Sequence, residues 1–220
     1  MTAWSYSSLT AFETCPRRYK LTKVTKEITE PQTEATLHGN AVHKAIEESI
    51  TKGKAMPDKY KQHRPLVDTV LAAPGVKHAE MKFALTKDLT PTTFFGKDVW
   101  LRGVFDLVVD KIDNAVIVDW KTGKPKPDSD QLKLFAAAAF SLMPRLKTVR
   151  TGFAWLAHNR LDSETFEKDE APAIWGEFKP RVQRIQIAVQ TDGFPPQPSG
   201  LCKNWCPVPR TKCEFSGRPD

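Results

Sequence analysis

Two runs decide the reading of this chain: GVFDLVV at residues 103–109 and VIVDWKTGK at residues 116–124. Each is apolar and rich in β-branched residues, and Asp106 and Asp119 are their only acidic residues. β-Branched side chains favour extended backbone, and the IDN between WLRGVFDLVVDK and AVIVDWK supplies a turn, so the two runs predict consecutive strands. Successive side chains along a strand point to opposite faces. Asp119 and Lys121 therefore share one face, while Trp120 between them faces the other way and packs. Pairing as a hairpin would bring Asp106 towards both. Two carboxylates suit a hard divalent ion, which prefers oxygen ligands. An ammonium beside them can hold a water, assist proton transfer or stabilise charge on a phosphate. A D-x-K pattern alone is common on surface hairpins. The apolar frame, the second acidic strand and the following glycine distinguish this one.

Outward from the hairpin the hydrophobic period changes. AEMKFAL at 79–85 alternates and predicts a strand with Glu80, Lys82 and Ala84 opposite Met81, Phe83 and Leu85. Residues 35–50 carry a helical stripe of Leu37, Ala41, Val42, Ala45, Ile46 and Ile50. A loop and another helix, patterned by Val67, Val70 and Leu71, fall within 51–75. Ser7 is expected to cap a short helix through Thr14 with Leu9 and Phe12 inward, and Pro16 to open a second, basic helical turn. Downstream, DQLKLFAAAAFSLM predicts a helix with Leu132, Phe135, Ala136 and Ala139 on one apolar side. A strand follows at 149–157 and a helix at 171–189. Helices around a strand-rich centre predict one α/β domain over residues 1–220, with a Pro- and Cys-containing tail at 193–220.

Thirty-three Lys and Arg against 26 Asp and Glu give a net charge of +7, which favours a polyanionic partner or an anionic surface. No run is long and apolar enough to cross a bilayer, and the first residues lack a secretory pattern. The expected location is cytoplasmic, in a bacterium or in the host of a phage. There the four cysteines are expected as thiols or metal ligands rather than disulfides. Cys15 lies near the start and Cys202, Cys206 and Cys213 near the end, so a tetrathiolate site requires the ends to meet. Four unligated thiols are the alternative.

The motifs CPRRY, GNAVHKAIEE, AEMKF, GVFDLVV, VDWKTGK and DQLKLF, in this order, resemble the PD-(D/E)XK nuclease superfamily, especially its RecB-like exonuclease branch. The resemblance implies a restriction-endonuclease-like core, a central mixed sheet flanked by helices, and hydrolysis of DNA with Mg²⁺ or Mn²⁺. It implies Asp106 and Asp119 as metal carboxylates, Lys121 as the catalytic lysine and His43 as a metal-associated histidine. Glu80 would be a further acidic group at the metal, the carbonyl of Trp120 a backbone ligand, and Gln131 an orienting amide. Read without the family, His43 is a structural histidine, Glu80 an exposed strand residue and Gln131 a solvent-facing one. Phe135 stands where the family's Q-x-x-x-Y segment has tyrosine, so that hydroxyl is missing.

The cysteines resemble those of iron–sulfur nucleases in the superfamily, AddB-type domains and CRISPR adaptation nucleases among them. This implies a [4Fe–4S] cluster at Cys15, Cys202, Cys206 and Cys213 that fastens the tail to the N-terminal helices. CKNWC and CPVPRTKC are each one residue looser than the usual spacing, which keeps Zn²⁺ open. Arg17, Arg18, Lys20 and Lys124 are candidate contacts to a DNA backbone, and Tyr19 either stacks on a base or packs inward. The expected activity is that of a DNA exonuclease in recombination, repair or phage DNA processing, acting on single-stranded DNA or free ends. A separate helicase or recombination protein is an expected partner, and no membrane is. A structure-selective endonuclease and a non-catalytic DNA-binding or scaffolding protein are the alternatives. The chain has no P-loop pattern, so ATP-driven unwinding is not expected within it.

Overall fold

Strand-forming residues at the centre of the chain build a five-stranded sheet: β1 (Val76–Leu85), β2 (Leu101–Asp110), β3 (Asn114–Lys121), β4 (Thr148–Trp155) and β5 (Arg160–Glu167), in that spatial order. The computed structural model describes residues 3–126 and 130–219. β3 and β4 pair in parallel, and the other neighbours are antiparallel. The sheet is therefore mixed, as the α/β reading expected. A parallel partner cannot be reached through a tight turn. The chain accordingly makes helix α5 (Asp130–Leu142) between β3 and β4.

Described residues 34–177 form one compact unit, which holds this sheet. Helix α3 (Glu34–Lys52) and helix α4 (Arg64–Leu71) contribute Val42, Ile46, Leu66, Val67 and Val70 to a core with Leu107 and Val109 of β2 and Val118 and Trp120 of β3. On β4, Ala154 joins that core, while Phe153 and Trp155 cluster with Leu132 of α5. Alternate β4 residues thus serve two helical layers. With helices on both faces, β2 has no wet side at Leu107–Val109, all three of which are fully buried.

Several expectations need correction. Helix α5 is buried at Leu132 and from Leu134 to Phe140, so its apolar surface wraps round rather than forming one side. On α3 only Val42 and Ile46 are buried, and Leu37 is 51% exposed. The strand expected at 149–157 ends at Trp155, where a tight turn through His158 and a left-handed Asn159 leads into β5. β5 escaped the hydrophobic pattern because Phe166 is its only buried residue. In β1 the simple alternation fails at Glu80, whose φ is +50°. Ala79 pairs with Leu107 and Met81 with Phe105, leaving Glu80 unpaired opposite Asp106.

The second unit comprises residues 3–33 with 178–219. Helix α1 (Tyr6–Thr14) is capped two residues before the expected position. Ser5, not Ser7, accepts from the Ser8 N–H at 3.3 Å, and the Ser8 hydroxyl accepts from the Ser5 N–H at 2.8 Å. Pro16 opens helix α2 (Pro16–Tyr19), which runs on into a wider π-type turn at Lys20–Val24. Leu21, Val208 and Cys213 form a small core with partly buried Ile28 and Cys206. Helix α6 runs over Ala171–Thr191, and short helix α7 (Leu201–Asn204) is the α-helical turn of the tail. No helix among the described residues is long and apolar enough to cross a membrane.

Candidate active site

β2 and β3 pair only as far as Leu107 and Val118, whereas β2 stays with β1 to Leu101. The residues just beyond the last β2–β3 pair are Asp106 and Asp119. Both carboxylates thus stand where the strands part. Asp106 Oδ2 accepts the Trp120 N–H at 2.8 Å, taking a main-chain donor just past the end of the ladder.

Helix α3 brings His43 to the same place, with Nδ1 3.4 Å from Asp106 Oδ2. Gly39, one turn earlier, permits this approach, since a Cβ there would lie 3.3 Å from Thr122 Oγ1 at the end of β3. One ligand atom from each of His43, Glu80 and Asp106 falls within 4.8 Å of the other two. Two oxygens and an imidazole nitrogen form a donor set that fits a divalent ion.

The electrostatics agree with that fit. Burial, then the charge of Asp119, pushes the Asp106 carboxyl up to about 8, against the opposing effect of the Trp120 N–H. Burial also raises Glu80, with Glu47 as the next cause, and lowers His43. Burial biases all three groups to their neutral forms, and like charge adds to this at Asp106 and Glu80. A cation would reverse the bias of the two carboxyls and leave His43 as the neutral imidazole that ligation requires.

Asp119 lies beside this group and is tied to the lysine instead. Its Oδ1 accepts from Gln131 Nε2 at 2.8 Å, while Lys121 Nζ donates to Gln131 Oε1 at 3.1 Å. Lys121 Nζ is also 2.7 Å from Asp119 Oδ2, but at angles that do not make a hydrogen bond, so this buried oxygen has no hydrogen-bond partner. Gln131 faces inward from α5 rather than towards solvent. Lys121 further rests 5.0 Å from the centre of the Phe153 ring, a contact that the sequence reading missed because it depends on the β3–β4 register. The Trp120 indole is buried in the core, as expected. Phe135 is buried edge-on to Phe105 at 5.1 Å and Phe83 at 6.5 Å.

In the other unit, the four free cysteines line one small cavity together with Arg17, Arg18 and Val208. Among the described residues no three cysteine sulfurs lie within 4.8 Å of one another. The candidate DNA contacts nearby have internal partners. Arg17 donates to the carbonyls of Phe194 and Lys212, and Arg18 donates twice to Glu30. Lys20 pairs with Asp192 at 2.7 Å. Tyr19 is buried with its ring edge-on to Phe12, the inward placement of the two considered. Lys124, in the sheet unit, is exposed.

Residues 3–213 match the family model of the PD-(D/E)XK nuclease superfamily. No curated protein matches the chain. Among solved structures, a putative exonuclease from Eubacterium rectale is 15% identical with a TM-score of 0.51, over 93% of this chain and 86% of its own. SSO0001 is 17% identical with a TM-score of 0.42, over 94% and 83%. At this identity the E. rectale structure speaks for the fold alone. The family match covers both aspartates, the lysine, the glutamine and all four cysteines, and on that match the chain belongs to the PD-(D/E)XK nuclease superfamily.

Proposed function

We propose that the protein is a Mg²⁺- or Mn²⁺-dependent deoxyribonuclease, with residues 1–220 acting as one nuclease domain. The observation that carries this reading is the meeting of a three-donor group with a lysine–carboxylate–amide set where β2 and β3 part. His43, Glu80 and Asp106 would hold the ion, with the Trp120 carbonyl and the unsatisfied Oδ2 of Asp119 as further oxygens. A divalent ion bound there supplies polarisation of the phosphate and a more acidic water. Lys121, steadied by Gln131, presents its ammonium to the charge that develops on the phosphate oxygens and hydrogen-bonds the attacking water. Asp119, 2.7 Å away, pairs with that ammonium and aims it.

The exonuclease preference, and a role in recombination, repair or phage DNA processing in the cytoplasm, rest on the ordered RecB-like motifs. The same motifs support a helicase or recombination partner. A [4Fe–4S] cluster at Cys15, Cys202, Cys206 and Cys213 is proposed as a fastener between the tail and the N-terminal helices. It is supported by their shared cavity, and the loose spacing of CKNWC and CPVPRTKC keeps Zn²⁺ as the alternative there.

The deciding experiment compares wild type with Lys121→Ala on labelled linear and circular DNA, single- and double-stranded, with Mg²⁺ or Mn²⁺. Metal-dependent cleavage is expected, reduced at least a hundredfold or so in the variant, with circles resistant. Cutting of circles would select the endonuclease. Folded, metal-loaded protein that binds DNA without cutting it would select the binding role.

A further inference from the structure

The loop joining β1 to β2, residues 86–100, carries adjacent rings at Phe94 and Phe95, and Phe95 is 81% exposed. Single exposed apolar residues are common on protein surfaces. This one differs in how firmly it is presented. The Thr92 N–H donates to the Ala84 carbonyl at 3.0 Å and the Trp100 N–H to the Leu85 carbonyl at 2.8 Å, closing the loop at its base. Within it the Thr92 hydroxyl donates to Asp98 Oδ1 at 2.8 Å, and the Gly96 N–H donates to the Thr93 carbonyl at 2.8 Å. That second bond closes a turn whose two central residues are Phe94 and Phe95. A Cβ on Gly96 would stand 2.8 Å from the same Asp98 oxygen, so glycine keeps the turn tight. Little conformational freedom remains for a ligand to remove on binding.

Cations stand beside the rings. Phe94 lies edge-on to Phe95 at 5.0 Å, and its own ring centre is 5.7 Å from Lys82 Nζ and 5.8 Å from Arg102 Cζ. Lys82 pairs with Val104 and Arg102 with Ala84, so both side chains leave the same face of the β1–β2 ribbon. Neither forms a close ion pair with a carboxylate among the described residues, and the charge of Lys82 acts on Glu80, two positions along β1. Lys87 and Lys97 in the loop are balanced by Asp88 and Asp98, which leaves Lys82 and Arg102 as the local excess of charge. The same ribbon leads to the candidate metal group. Lys82 is two strand positions from Glu80 and Arg102 four from Asp106, roughly 7 and 14 Å along the strands.

Free cations beside a rigid open ring match a ligand with phosphates spaced along one edge and flat bases along the other. We propose that Phe95, backed by Phe94 and flanked by Lys82 and Arg102, is a stacking platform for an unpaired base of the DNA strand that enters the site. The inference rests on the nuclease reading and assigns that site a preference for single-stranded segments.

The test measures binding of a fluorescein-labelled single-stranded oligonucleotide, the same strand with abasic positions, and a blunt duplex, all in EDTA. Cleavage of the intact strand in Mg²⁺ or Mn²⁺ is followed separately. Phe95→Ala is expected to weaken binding of the intact strand about five- to a hundredfold, and Phe95→Trp to preserve it. The loss should vanish on the abasic strand. Lys82→Ala should weaken every strand and lower the salt dependence by about 0.7 in log–log slope. Equal binding by wild type and Phe95→Ala, with wild type still cutting, overturns the platform and leaves the nuclease reading intact. An equal loss on intact, abasic and duplex DNA also overturns it, because the ring would then contribute without stacking on an unpaired base. Base-dependent loss in Phe95→Ala without cutting by wild type keeps the platform and removes the nuclease reading. Wild type that is folded yet neither binds nor cuts takes both away.

Discussion

Gln131 is the side chain through which the lysine and its carboxylate are held in one arrangement, because its amide donates to Asp119 and accepts from Lys121. Gln131→Ala leaves a buried carboxylate and a half-buried ammonium without that partner. Its cost should fall on kcat, about ten- to a hundredfold, with KM nearly unchanged, since the amide orients groups that act on the bound strand. Steady-state cleavage with Mn²⁺ separates the two constants, and a change confined to KM would make Gln131 a substrate contact. Asp106 sets a second expectation. Its carboxyl is raised to about 8, so in metal-free protein the folded state keeps a proton that the unfolded state has released. Stability is therefore lost as pH rises towards 8. His43, lowered by burial, acts oppositely, losing stability as pH falls through the unfolded imidazole value near 6.5. Between about pH 6.5 and 8 the Asp106 effect continues, while that of His43 lies at lower pH. Thermal melting in EDTA should show Tm falling across that window, more shallowly in Asp106→Asn, and Mn²⁺ should raise Tm more at pH 8 than at 6.5. Asp106, Asp119 and Lys121 were legible from the alternation of faces inside apolar strands. Placing His43 and Glu80 beside Asp106 at the metal came only from the family resemblance. The geometry that groups them depends on a close helix approach at Gly39 and a left-handed backbone at Glu80, neither of which the side-chain pattern encodes.

β1 holds a residue that strand geometry alone would not choose. A left-handed, β-carbon-bearing Glu80 in mid-strand costs about 1–2 kcal/mol, and such strain persists where surrounding structure enforces it. Glu80→Gly and Glu80→Ala both remove the carboxylate, but only glycine relieves the backbone. In metal-free protein the glycine variant should be the more stable of the two by about 1 kcal/mol, read by denaturant melts. Both should cut DNA poorly, and equal stability would show that the left-handed backbone is not strained. Element types were legible where a β-branched apolar run or a helical stripe marked them, as in β2, β3 and α3. The α1 cap was misplaced because Ser5, Ser7 and Ser8 offer the same hydroxyl, and only backbone direction selects Ser5. β5 went unseen because an edge strand with one buried side chain has almost no apolar pattern to read. α5 was read as one-sided because its alanines are as compatible with a wet face as with a buried one.

Across the chain, four cysteines far apart in sequence surround one cavity, and a shared ligand predicts shared consequences. Serine at any one of Cys15, Cys202, Cys206 or Cys213 should abolish stoichiometric iron and sulfide in anaerobically prepared protein. Each should also open residues 193–219 to limited proteolysis. Unligated thiols would instead give graded effects that follow burial, greatest at Cys213. This arrangement was legible only as a possibility, since sequence spacing cannot show that the two ends of a chain meet. The mixed sheet has a consequence for synthesis. β3–β4 is the parallel pair among the described strands, and Asp119 and Lys121 lie on its first member while Gln131 lies on the crossover. A nascent chain on the ribosome therefore carries both aspartates and the lysine well before Phe153 and the rest of β4 exist to support them. Closing so distant a contact is slow compared with hairpin formation. The lysine gains its Phe153 support only after β4 has emerged, so an unfinished chain bears both aspartates and the lysine without the framework that fixes their geometry.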